Sequence, residues 1–109
     1  MSLNASQLAS DALAAMQKVL AAQWPSILAL ATSQAQKLAL TLVDIEQMVQ
    51  AKQIDSDTAA DLLDSQRRAT TAVLLCIRGM DQIVVEQAIN AALAVVASAV
   101  NTAIGFPLL

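Results

Sequence analysis

From Leu13 the apolar side chains recur at steps of three and four residues: Leu13, Met16, Leu20, Trp24, Ile27, Ala31, Ala35, Leu38, Leu42, Ile45 and Val49. This spacing draws a single stripe along an α-helix, and no strand with its period of two can gather these positions on one face. A second series with the same spacing follows: Leu62, Ala69, Val73, Ile77, Met80, Val84, Ala88, Ala91, Val95, Ala99 and Ala103. Only 2 glycines and 2 prolines punctuate the 109 residues, far too few for the turns of a β or doubly wound α/β protein. The fold class expected is all-α.

The polar segment 52–57, KQIDSD, is the strongest break in the pattern. Asp55 or Ser56 suits an N-cap there, and Asp57 and Asp61 place negative charge in the first turn, where the helix dipole favours it. Pro25 and Gly79 both lie inside a stripe without shifting its phase. The spacing therefore predicts one helix over about 3–53, kinked near Pro25, a turn at about 54–56, and a second helix over about 57–104 that stops at Gly105 and Pro107. Two separate helices, with Pro25 opening the second, are the alternative at that position. At 1.5 Å per residue each long helix measures about 70 Å, and the pair forms an antiparallel hairpin, a single domain.

A second apolar row, Val85, Ile89, Leu93, Val96, Val100 and Ile104, flanks the first in the C-terminal helix, and the tail adds Phe106, Leu108 and Leu109. A hairpin gives each helix one neighbour, which covers one stripe and leaves the second row in water. These nine residues are the expected oligomer interface, through which hairpins pack into a multi-chain helical bundle. The charges support two unlike ends: residues 1–43 hold only Asp11, Lys18 and Lys37, and residues 87–109 hold none.

Catalytic chemistry has little to work with. Histidine is absent, so the commonest general base and metal ligand is missing, and Cys76 has no imidazole to activate it. Cys76 is expected to be buried and structural among Val73, Leu74, Leu75 and Ile77. An EF-hand loop beginning at Asp55 would need glycine and glutamate where the chain has Ala60 and Gln66, so the acidic run reads as capping and solvation. Asp64 and Arg68, one turn apart, suit an exposed ion pair. No cofactor or metal is expected, and the chain is read as not an enzyme. A net charge of -3 with Arg67, Arg68 and Arg78 as the only basic cluster argues against nucleic acid as a partner.

The lone cysteine and the lack of a basic stretch before the first apolar residues point to the cytoplasm, with no signal peptide evident, and leave membrane association open. The function expected is a structural or scaffolding subunit whose partner is itself, as a homo-oligomer. A membrane-active or membrane-anchored hairpin is the first alternative, since residues 87–109 are uncharged and long enough to span a bilayer. A carrier of small apolar ligands is the second.

Overall fold

A computed structural model describes residues 3–77 and 79–109. The chain is all-helical, and four α-helices pack together where the stripes predict two: α1 (Ala5–Val19), α2 (Trp24–Gln50), α3 (Ser56–Leu75) and α4 (Gln82–Ile104). α1 packs chiefly on α4 and α2, and α2 packs on α3. Thr41 meets Gln66 while Gln34 meets Thr70, Leu3 meets Glu46 while Ser10 and Leu13 line a cavity with Thr32, and Arg67 meets Asn90 while Leu63 lines a cavity with Ala97, so neighbouring helices are antiparallel. The molecule measures 42 × 22 × 18 Å. That length matches the roughly 40 Å of the 27-residue α2 and excludes a 70 Å hairpin for this state.

Both long helices of the sequence reading are interrupted, and each interruption has a local cause. At the first, Leu20 leaves the helical region (φ −97°, ψ 20°) and residues Ala21–Gln23 form one turn of 3-10 helix. This tight turn reverses the chain within four residues, fewer than the loop that a reversal ordinarily demands. Pro25 is then the second residue of α2, where its missing N–H is no loss. At the second, Gly79 adopts φ +89°, and the Asp81 carboxylate accepts from the Val84 N–H at 2.9 Å as the N-cap of α4. Glycine followed two residues later by aspartate is a stop and a start, and a stripe that keeps its phase conceals both. Cys76, the C-cap of α3, is consequently exposed rather than buried.

The third junction is the polar one. Asp55 caps α3 by accepting from the Thr58 N–H at 2.8 Å, which holds its carboxyl below the ordinary value of 3.8. Lys52 takes a left-handed φ of 59° just before it. The contribution of this cap is present at neutral pH and is lost as pH falls through that lowered value.

One core runs through all four helices. Met16, Leu20, Ile27, Leu42, Ile45, Leu74, Val85 and Val100 are fully enclosed in it, and burial of each large side chain contributes about 1.5–3 kcal/mol. Reversal at both junctions gives α4 neighbours on several sides, and its second apolar row is covered by its own chain. Leu93 retains only 5% of its exposure. A carboxylate there has no partner and costs several kcal/mol, so Leu93→Asp is expected to lower Tm sharply and to erase helical circular dichroism near ambient temperature.

Candidate functional site

The up-and-down topology brings the α1–α2 and α3–α4 junctions to the same end of the bundle. Among the described residues, seven large apolar side chains are exposed, and four of them belong to this end: Leu28 and Leu30 in the first two turns of α2, Leu75 at the close of α3, and Ile83 at the start of α4. Ile83 keeps 69% of its exposure. Trp24, Ile77 and Met80 lie half-buried beside them against the core. Leu40, Leu62 and Val95 are the other three of the seven, one each on α2, α3 and α4, and scattered exposure of this kind is ordinary.

The nine residues expected to meet other chains occupy different ground. Val85, Ile89, Leu93, Val96, Val100 and Ile104 are buried within the protomer, in one cluster with Leu8, Ala12 and Met16 of α1. Phe106, Leu108 and Leu109 are half-buried and fold back on the same core. Asn101 clamps this tail: its Oδ1 accepts from the N–H groups of Leu108 and Leu109 at 2.9 and 3.0 Å, and its Nδ2 donates to the Leu109 carbonyl at 3.2 Å. The exposed end was hidden from sequence reasoning because Leu28, Leu30 and Ile83 fall outside the stripes. The glycine-to-aspartate spacing at 79 and 81 was the available signal.

α3 and α4 touch less closely than α1 and α4, and a groove of about 540 Å³ opens between them. Its walls are mixed: Leu75 and Ile89 beside Arg67, Arg68, Glu86 and Asn90. Arg67 donates to Asn90 Oδ1 across it, and Arg68 pairs with Asp64 at 2.9 Å on an exposed face, where such a pair contributes little. Arg68 and Asp64 pair charge with charge, whereas Arg67 is held by the Asn90 amide and Glu86 accepts from the Gln82 amide at 3.0 Å. No group of three His, Cys, Asp or Glu that could hold a metal ion occurs among the described residues.

Between α2 and α3 the interior is polar at one level. Thr70, fully buried, donates to Gln34 Oε1 at 2.9 Å and accepts from Gln66 Nε2 at 3.1 Å, while Thr41 reaches Gln66 at 3.4 Å. Glu46, also buried, accepts the Leu3 N–H on both carboxylate oxygens at 3.0 Å and ties the start of α1 to α2. Every buried side-chain polar atom among the described residues has a partner. No protein family, characterised protein or solved structure matches the chain.

The ladder is expected to stabilise the protein only while it is complete. Thr70→Val leaves buried Gln34 without its donor and should cost about 1–3 kcal/mol in urea denaturation, and adding Gln34→Leu should recover part of that loss.

Proposed function

We propose that this chain is a non-enzymatic structural or scaffolding subunit that self-associates into a homo-oligomer or larger helical assembly. The observation that carries this reading is that four of the exposed large apolar side chains, Leu28, Leu30, Leu75 and Ile83, lie on helix segments toward one end of the bundle. Apolar side chains left in water favour a contact that removes them from it, at about 25 cal/mol for each Å² covered. The surface that associates is therefore assigned to this end and not to the row from Val85 to Ile104, which the protomer itself covers. The absence of histidine supports a role without catalysis. The single free Cys76 accords with a cytoplasmic setting.

One observation favours a second reading. α4 is long and apolar enough to cross a membrane, and membrane anchoring through it would require the bundle to open. Its exposed side carries Gln87, Asn90, Ser98 and Thr102, which water satisfies and hydrocarbon does not. The carrier reading has less to draw on, because the α3/α4 groove is open and lined by charged groups.

Mass photometry and sedimentation in detergent-free buffer test the proposal. The wild-type chain is expected to exceed its monomer mass of 11.4 kDa at micromolar concentration, and Leu28→Gln with Ile83→Gln should lower the assembled fraction without loss of helicity. A monodisperse monomer contradicts self-association, and robust flotation with liposomes would favour the membrane reading.

A further inference from the structure

We propose that two copies of this chain exchange α4 at the Leu75–Gln82 junction, each α4 taking the other's place beside α1 while α3 and α4 run on as one helix. The inference rests on the self-association reading and states how the copies join.

The first observation is one of phase. Leu63 and Leu74 of α3 and Val85 and Val96 of α4 are all buried, and they follow one another at intervals of eleven residues, or about three helical turns. The same interval crosses the α1–α2 junction at Met16, Ile27 and Leu38, so the phase permits a continuous helix at either junction and compels one at neither. A helix running straight through the α3–α4 junction needs that agreement. Its α3 half must face its own core and its α4 half the core of the neighbour, both on the same side.

The second observation is how little holds the junction shut. Gly79 supplies a left-handed φ of +89°, and a Cβ added there would meet nothing within 4 Å. Asp81 is extended (φ −116°, ψ 163°) and makes the cap bond to Val84. Cys76, Ile77 and Met80 in the same stretch suit a helix as well as a turn, unlike the Lys-Gln-Ile-Asp run between α2 and α3. The α1–α2 junction differs. A helix continued through it would set the Pro25 ring against the carbonyl of Ala21, so α1 stays folded against α2 and α4 is the element that moves.

A second copy is the occupant because an identical α4 reproduces every contact that α1 and α2 already make. Only the junction changes, and exchange of an identical element is a low-cost route to a dimer. The two cores then lie end to end, and the place where they meet is the end that carries Leu28, Leu30, Leu75 and Ile83.

The test compares the wild-type chain with Gly79→Ala and Gln82→Pro, each unfolded in denaturant and refolded at matched concentrations, by light scattering and small-angle X-ray scattering. Gln82 is the first residue of α4 and follows an extended Asp81, so proline fits the closed junction and forbids the continuous helix. That variant is expected to be a monomer with a radius of gyration near 13.6 Å. The wild type should yield an elongated dimer. Gly79→Ala should raise the dimerisation constant, roughly fivefold per junction and about 25-fold for two, from helix propensity alone. A wild-type dimer that Gln82→Pro leaves intact, with compact protomers, overturns the exchange and leaves end-to-end association standing. Monomers for all three proteins overturn both.

Discussion

α4 carries apolar side chains over most of its circumference, and one neighbouring helix covers only one stripe of such a surface. The row from Val85 to Ile104 and the residues beside it can be removed from water only by neighbours on several sides, and the chain provides them by folding each half back on itself. The 3-10 turn at Ala21–Gln23 and the break at Gly79 follow from that demand. Without them α1 would lie far from α2, and α4 far from α3, along a rod with an unburied side.

A core made mostly of Ala, Leu and Val is poor in shape, because alanine leaves few distinct knobs and many near-equivalent registers. The polar contacts supply what the apolar ones lack. Thr70 meets Gln34, and Gln66 meets Thr41, only at one sliding position of α2 against α3, and Glu46 meets the Leu3 N–H only at one height of α1 against α2. A shift of one turn would leave the buried Gln34 and Glu46 without these partners, at a cost that alanine packing could not offset. They select among packings that the apolar residues alone would leave nearly equal.

The all-helical class was legible in the stripes, because steps of three and four residues have no other periodic explanation, and the cap at Asp55 was legible because it stands in a polar run. The α1–α2 junction was legible only as the alternative in which Pro25 opens a second helix, and the α3–α4 junction was not. Pro25 and the pair Gly79 and Asp81 interrupt apolar series that hold their phase, so periodicity reports continuity where capping geometry enforces a stop. That single omission changes how the row at Leu93 and Val96 is covered: with two helices it has no cover, and with four it is buried within the protomer. Cys76 changed from buried to exposed for the same reason, since its surroundings in sequence are apolar but its place is a helix end.

The extensive packing of α1 on α4 joins segments that two other helices separate in the sequence. Contacts of that span form late, after local pairs such as α1 with α2 and α2 with α3 have repaid their loop entropy. On a translating ribosome, where residues emerge at about 5–20 per second, α1, α2 and α3 must stand for a second or more as an open trough before α4 arrives. Until α4 arrives, the apolar face that it covers, with Leu8, Ala12 and Met16 of α1, stands in water.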